Sequence, residues 1–191
     1  MIRFDKYEIL ELLKALIVLS IAFTILGRPE GWISAIILFA ISVLTIGLGF
    51  ILHELGHKIT ANNFGYKAIF KADNAMLGIA VVLAIFSPII FAAPGAVYIQ
   101  GHISKKENGI ISLAGPVMNI LLALAFLPMM LLFSGITGII GRYGFMINAW
   151  LALFNLIPLG NLDGAKVLRW NKLAYGGAVL ISGLLTFLSF T

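Results

Sequence analysis

Residues 33–52 form an apolar run of about 20 positions, the length that an α-helix needs to cross the hydrocarbon core of a bilayer. The run ends in the motif HELGH at residues 53–57, so two histidines and a carboxylate lie at the end of a membrane-spanning segment. Ionisable groups inside such a segment each cost roughly 2 to 3 kcal/mol or more, and they mark functional sites by default. This stretch therefore indicates a membrane protein with a polar site built into it.

The spacing within this motif is that of a metal site. Positions i and i+4 of an α-helix lie on one face, so His53 and His57 can direct both imidazoles at one ion. Glu54 is then placed to act as general base on the attacking water. The alternative is a chance match with structural histidines, but the cost of three ionisable groups in lipid favours the metal site.

The composition agrees with an integral membrane protein. Of 191 residues, 61% are hydrophobic and 11% are charged, against about a quarter charged in a soluble domain. The net charge of +5 forms no basic stripe with interleaved aromatic residues, so contact with membrane lipids is predicted and nucleic-acid binding is not. The absence of cysteine excludes disulfides and thiolate ligands. We expect a single integral membrane domain over residues 1–191, with its core at 33–170.

Hydropathy and breaker residues predict an all-α membrane protein, a polytopic bundle of about five transmembrane helices. Residues 1–11 are interpreted as an amphipathic lead-in at the membrane surface. Residues 12–26 are interpreted as a retained first span, because no A-x-A-like cleavage site follows them. Further spans are predicted at residues 32–62, 109–133, 136–156 (helical from Tyr143 onward) and 173–190.

Residues 66–101 are predicted to form a re-entrant or β-like membrane-associated loop. Residues 66–72 alternate polar and apolar side chains, as a short strand does. The apolar run 76–98 contains Pro88, Pro94 and Gly95, and broken backbone at membrane depth is tolerated only inside protein or a water-filled cavity.

The distribution of basic residues supports this topology, because they gather on the cytoplasmic side of membrane proteins. If residues 76–98 make no net crossing, every Lys and Arg except Arg28 and Arg142 lies on one side. A crossing would spread the charge over both sides. We therefore expect a multi-pass protein of the cell membrane, with its amino terminus and HELGH site toward the cytoplasm.

A catalytic zinc usually has three protein ligands, and the motif supplies two. Four residues on the same side are candidates for the third: His102, Asp73, Glu107 and Asp163. Asp163 follows a span that ends on the face where His57 lies, and the breaks at residues 158–160 let the chain turn back. The alternative for Asp163 is an ordinary turn or cap role before Gly164. His102 and Asp73 are interpreted as surface-loop residues.

Asn119 lies inside an apolar span and needs a partner, since an unpaired amide in lipid is costly. Two interpretations are open. The side chain either joins two helices, or it donates to the substrate backbone or a developing oxyanion.

Three motifs in this order resemble the site-2 protease family of intramembrane zinc metalloproteases. They are HELGH at residues 53–57, Gly-Pro-x-x-Asn at 115–119, and Asn-x-x-Pro at 155–158 leading to Leu-Asp-Gly at 162–164. Many family members also carry PDZ or CBS domains, which these residues do not contain, so the resemblance indicates the chemistry and not its regulation.

The resemblance implies roles for individual residues: His53, His57 and Asp163 as ligands of Zn2+, Glu54 as general base, and Asn119 in binding or polarising the scissile peptide. The implied function is cleavage of transmembrane protein substrates within the membrane, as in regulated intramembrane proteolysis. A strand edge within residues 66–101 is expected to capture the unwound substrate by β-augmentation. The alternatives are a zinc-binding membrane transporter and a catalytically silent scaffold; neither the substrate nor the oligomeric state is predicted.

Overall fold

The computed structural model describes residues 4–87 and 94–190, and helices account for most of these ranges. The elements in chain order are α1 (Lys6–Leu26), α2 (Trp32–Ser42), α3 (Leu48–Asn63), β1 (Lys67–Ala72), α4 (Asn74–Phe86), β2 (Gly95–Gln100), α5 (Lys105–Leu132), α6 (Gly135–Asn155), α7 (Asp163–Trp170) and α8 (Lys172–Leu188). A π-helical turn, Val43–Gly47, joins α2 to α3. The predicted fold class, an all-α membrane protein, is confirmed.

Within the described residues, four helical segments are long and apolar enough to cross a membrane: Lys6–Leu26, Trp32–Asn63, Lys105–Leu132 and Gly135–Asn155. They coincide with the first four predicted spans. At the place of the fifth, α8 has 17 residues, about 26 Å of helix against a hydrocarbon core of about 30 Å. These lengths are those of a multi-pass membrane protein.

The helix α6 begins at Gly135, whereas the sequence predicted regular helix only from Tyr143 onward. Glycine lowers helix propensity, and this stretch is rich in it. The glycines are instead sites of close packing on α5, because a Cβ on Gly141 would lie 2.6 Å from the carbonyl carbon of Met129. Close helix contact at small residues outweighs local propensity here.

The predicted membrane-associated loop contains a sheet and a helix. β1 and β2 pair antiparallel, with Lys67 opposite Gln100, which confirms the strand predicted at 66–72. Between them, α4 has 13 residues, about 20 Å of helix, and is too short to cross the bilayer core. The side chain of Asp73 caps α4. Pro88, one of the predicted breaks, lies outside the described residues.

The location of residues 1–11 at the membrane surface stays a prediction, and the described part of this segment also packs into the fold. α1 begins at Lys6, and Glu8 and Glu11 on its first turns are buried. Their carboxylates accept hydrogen bonds from the backbone of β1. Amphipathic patterning could not reveal these partners, because they lie some 60 residues away along the chain.

The helix α5 is at the centre of the bundle and packs against α3, α6 and α7. At Gly56, an added Cβ would lie 2.9 Å from the carbonyl oxygen of Ala114, so α3 and α5 are in backbone contact. At Gly164, an added Cβ would collide with the carbonyl of Leu156, so the start of α7 lies against the end of α6. Because α6 and α7 both pack on α5, these contacts bring α3 and the first residue of α7 together.

Candidate metal centre

Three predicted ligands meet between α3 and α7. His53 and His57 lie on one face of α3, Asp163 is the first residue of α7, and each is less than 9% exposed. The His53 and His57 Nε2 atoms are 3.0 Å apart, and they lie 3.3 and 3.1 Å from Asp163 Oδ2. Tetrahedral zinc ligands at about 2.0–2.1 Å from the ion lie about 3.3 Å from one another, so this donor set and spacing fit zinc.

The outer nitrogens of both imidazoles are occupied by oxygen acceptors. His53 Nδ1 lies 2.6 Å from Asn119 Oδ1, and His57 Nδ1 lies 2.8 Å from the Ile111 carbonyl oxygen. A carbonyl oxygen can only accept, so each Nδ1 carries the proton and donates it. Each Nε2 then presents its lone pair to the shared point, as metal-binding histidines do.

Asn119 is held by its own partners. Its Nδ2 donates to the Gly49 carbonyl at 3.1 Å and to Asn148 Oδ1 at 3.0 Å, which leaves Oδ1 as the acceptor for His53. Asn148 Nδ2 in turn donates to the Gly144 carbonyl. Both amides are fully buried. Contact between Asn119 and substrate stays a prediction; in the structure this side chain orients His53.

The sequence arguments did not single out Asn148. The signal was available, because Asn148 is an amide inside an apolar span and therefore needs a partner by the same reasoning as Asn119. The Ile111 carbonyl carries no such signal, since every residue has one.

Gly115 faces the metal group from α5. A Cβ at this position would lie 2.6 Å from His53 Nε2 and closer still to His57 Nε2. Only glycine leaves the space between α5 and the converging nitrogens open, which assigns a steric role to the first residue of the Gly-Pro-x-x-Asn motif.

Glu54 is buried beside this group, and its Oε2 has no hydrogen-bond partner among the described residues. It lines a polar cleft of about 290 Å³ together with the three ligands. The other walls of the polar cleft include β2 and five polar side chains: Asn108, Ser112, Asn155, Asn161 and Lys166. Glu54 therefore borders a space that can hold water or a peptide, and one of its carboxylate oxygens is unpaired.

Asp163 is ionised in this setting. Burial raises the pKa of its carboxyl group, but when an Nε2 atom carries a proton in place of an ion, the charge of His57 and hydrogen bonds from His53 and His57 outweigh burial and hold the pKa below its ordinary range. Lys166 Nζ also lies 3.6 Å from Asp163 Oδ1. An ionised carboxylate is the form that binds a metal.

The other candidates for the third ligand have different roles. Asp73 caps α4, Glu107 accepts from the Ser104 backbone and the Tyr66 hydroxyl, and His102 is exposed. Within the described ranges, the group of acidic and histidine side chains with metal-site spacing is His53, His57 and Asp163.

Comparison with known proteins identifies relatives over most of the chain. The chain is 41% identical over 172 residues to a Methanocaldococcus jannaschii protein with the provisional name zinc metalloprotease MJ0611, covering 88% of this chain and 87% of that protein. It is 32% identical over 181 residues to the provisionally named zinc metalloprotease Rip2 of Mycolicibacterium smegmatis, covering 79% and 68%. It is 30% identical over 146 residues to the provisionally named zinc metalloprotease YwhC of Bacillus subtilis, covering 66% and 67%. No protein-family model and no solved structure matches the chain.

The relatives' names and the geometry agree on the metal. All the named relatives are zinc metalloproteases by name, and the two imidazoles and one carboxylate lie at the spacing that zinc requires. The predicted cofactor, Zn2+, is confirmed on both grounds. The chain belongs to the site-2 protease family of zinc metalloproteases.

Proposed function

We propose that this protein is a zinc-dependent endopeptidase that cleaves transmembrane segments of other membrane proteins, as in regulated intramembrane proteolysis. The observation that carries the proposal is the position of the site. His53, Glu54 and His57 lie within the apolar segment Trp32–Asn63, Asp163 joins them from the start of α7, and all four residues line the polar cleft. A metalloprotease site built into a membrane-spanning helix acts on peptide bonds at that depth.

The residues of the site divide the chemistry between them. His53 Nε2, His57 Nε2 and Asp163 Oδ2 would hold the zinc, which when bound polarises a peptide carbonyl and lowers the pKa of water toward neutrality. Glu54 takes the proton of the attacking water and delivers it to the leaving amine. Asn119 and the Ile111 carbonyl keep both imidazoles in the binding tautomer.

The substrate must unwind before it can be cut, because a helix hides its carbonyls in i to i−4 hydrogen bonds. An unwound segment needs new partners for its backbone, since lipid provides none. We infer that β2 supplies them. It borders the polar cleft and, in the described part of the chain, carries no strand on its outer side.

The two edges of the sheet differ in availability. The N–H groups of Phe70 and Ala72 point away from β2, and the carboxylates of Glu8 and Glu11 accept them at 3.0 Å each. The outer edge of β1 is therefore covered by α1. Two residues that lie opposite each other in an antiparallel pair direct their N–H and C=O groups either toward each other or both away. Phe70 lies opposite Val97 and its N–H points away from β2, so the Val97 N–H and C=O lie on the outer edge of β2, beside the polar cleft.

The proposal includes an orientation. All basic residues except Arg28 and Arg142 fall on one side if residues 76–98 make no crossing, and the short α4 agrees with that path. We propose that this side is the cytoplasmic side of the cell membrane, that the amino terminus lies there, and that water reaches the polar cleft from it.

The central test is Glu54→Gln, measured for zinc content and for cleavage of a single-span membrane substrate in liposomes. Glutamine keeps the shape but cannot take a proton, so we expect retained zinc and a loss of cleavage of about 10²–10⁴-fold, the usual contribution of a general base. A transporter or a silent scaffold has no need of this carboxylate. Unchanged cleavage in Glu54→Gln would contradict the protease function.

The β2 edge is tested by Val97→Pro, with Val97→Thr as matched control. Proline removes the outward N–H, and threonine keeps it with a similar branched shape. We expect cleavage to fall about 10-fold in the proline variant, since one backbone hydrogen bond contributes about 0.5–1.5 kcal/mol. The threonine variant should retain cleavage. Equal cleavage by both variants would show that substrate does not pair with β2.

A further inference from the structure

A second cavity adjoins the catalytic carboxylate. This apolar cavity has a volume of about 80 Å³ and shares His53, Glu54, Gly95 and Asn155 with the polar cleft. Most of its remaining wall is hydrocarbon, contributed by α1, α3 and α6: Leu19, Phe23, Phe50, Trp150, Leu151 and Phe154. The proposed mechanism uses the polar cleft and leaves the apolar cavity without a role.

We propose that the apolar cavity binds one side chain of the substrate, from a residue that flanks the scissile bond, and that it selects valine, leucine or isoleucine there. The inference rests on the proposed function and specifies a part of its substrate preference. It makes Trp150 and Leu151 specificity-determining residues.

The chemistry of the wall determines the class of side chain. A cavity lined by aromatic and aliphatic groups offers few hydrogen bonds, so it disfavours a charged or amide side chain. Hydrocarbon walls favour apolar guests, and a wholly apolar cavity of about 150 Å³ binds benzene. At about 80 Å³, the apolar cavity fits a branched aliphatic group better than an aromatic ring.

The position relative to β2 determines which substrate residue enters. Gly95, the first residue of β2, borders both the polar cleft and the apolar cavity. A substrate strand on the outer edge of β2 therefore leads past Glu54 to the cavity mouth. Side chains alternate between the two faces of a strand, so one neighbour of the scissile bond can enter the cavity while the other points away.

Two neighbouring residues on α6 allow the cavity to be changed in opposite directions. Trp150 stacks on Phe154, with ring centroids 6.5 Å apart, so Trp150→Ala enlarges the cavity. Leu151→Phe fills part of it. Neither side chain is a metal ligand or a partner of the His53 and His57 Nδ1 atoms.

The experiment uses the full-length protein in liposomes and designed single-span membrane peptides whose wild-type cut has been mapped by mass spectrometry. Each residue flanking the cut is varied to Ala, Leu or Phe, and the ratios of cleavage rates are measured. At one flanking position, wild type should prefer Leu over Ala by about 10–200-fold, the range for small differences in an apolar pocket. Leu151→Phe should shift this ratio toward Ala, and Trp150→Ala should shift it toward Phe.

Matched controls carry the same changes on exposed surface: Trp32→Ala and Leu131→Phe, at positions 75% and 67% exposed. They should keep the wild-type ratios. The ratio of the cleavage rates of two substrates in one sample does not depend on the amount of folded enzyme. Partial loss of folding therefore does not change this ratio. If one cavity variant is inactive, the shift of the rate ratio measured in the other variant decides the test.

A shift confined to one flanking position, in opposite directions for the two cavity variants, supports the inference. Cleavage with wild-type ratios in both variants, or equal shifts at both positions, would overturn the inference and leave the proposed function intact. Absence of any cleavage by zinc-loaded wild-type protein would overturn the proposed function and this inference with it.

Discussion

Two of the buried polar clusters in the described part of this apolar protein differ in what is left unpaired. The metal centre brings two Nε2 lone pairs and an Asp163 oxygen within 3.3 Å of one another. The α1–β1 cluster, which consists of Glu8, Glu11, Lys58 and the Phe70 and Ala72 N–H groups, matches acceptors with donors. The first cluster requires a cation to be complete, and the second is complete in itself.

The α1–β1 cluster shows how a closed polar cluster stabilises a fold. Glu8 accepts from the Phe70 N–H through one oxygen and pairs with Lys58 through the other, and both side chains are at most 3% exposed. Lys58 also lies 4.5 Å from the centre of the Phe4 ring. Because Lys58 directly follows the ligand His57, this cluster ties α1 and β1 to the helix that carries the motif. Buried charges that are paired with each other therefore do not identify a binding site. Unprotonated ligand atoms that converge on one point do identify it.

The largest effect is expected from Asp163→Ala, which removes one of the three converging atoms. Zinc affinity should fall by more than about 100-fold, since loss of a supporting residue alone costs 10–100-fold, and cleavage should be lost. Zinc competition titration and circular dichroism of the purified protein would measure affinity and folding. Asp73→Ala, which removes the cap of α4 and none of the converging atoms, should keep zinc. Wild-type zinc affinity in Asp163→Ala would contradict the proposed ligand set.

The next effect is on stability and tests the closed cluster. Glu8→Ala leaves the Lys58 charge buried and unpaired, so the free energy of unfolding should fall by about 3–5 kcal/mol. Denaturant unfolding in detergent micelles would measure it, with the exposed Glu30→Ala as control. The double variant Glu8→Leu with Lys58→Met should recover much of the loss, because it removes both charges. If Glu8→Ala is as stable as Glu30→Ala, the cluster does not stabilise the fold.

The smallest of the three effects concerns the support of His53. Asn119→Ala removes the acceptor for His53 Nδ1, so zinc affinity should fall about 10–100-fold. Asn148→Ala removes one partner of Asn119 and should have a weaker effect. The control is Asn171→Ala, which removes the exposed cap of α8. The same titration checks all three variants, and wild-type affinity in Asn119→Ala would show that the hydrogen bond does not set the tautomer.

The parts of the site that depend on local geometry could be predicted. His53 and His57 share a face because of helix periodicity alone, and Glu54 follows from its place in the motif. Asp163 needed the topology of the chain and the family resemblance, because it lies more than 100 positions further along the sequence. Asn119 was found as a polar residue in lipid, but its partner was not, since several helices could have supplied one.

The interior arrangement of the first helix and the membrane-associated loop was not predicted, for the same physical reason. Amphipathic patterning distinguishes a polar from an apolar face but does not show whether the polar face meets water or another segment. Glu8 and Glu11 meet a strand edge, and the loop predicted as re-entrant or β-like contains the helix α4 between its two strands.

By itself, the sequence determined the class of protein, the main apolar helices, the short strand at 66–72 and the shared face of His53 and His57, because hydropathy and helix periodicity are properties of the chain. The tertiary structure alone decided which imidazole nitrogens face the metal, which strand edge is open and where an apolar cavity adjoins Glu54. Those features depend on backbone groups such as the Ile111 carbonyl and on the close approach of α3 to α5 at Gly56 and Gly115. Every residue has a backbone carbonyl, and only packing selects the one that is used.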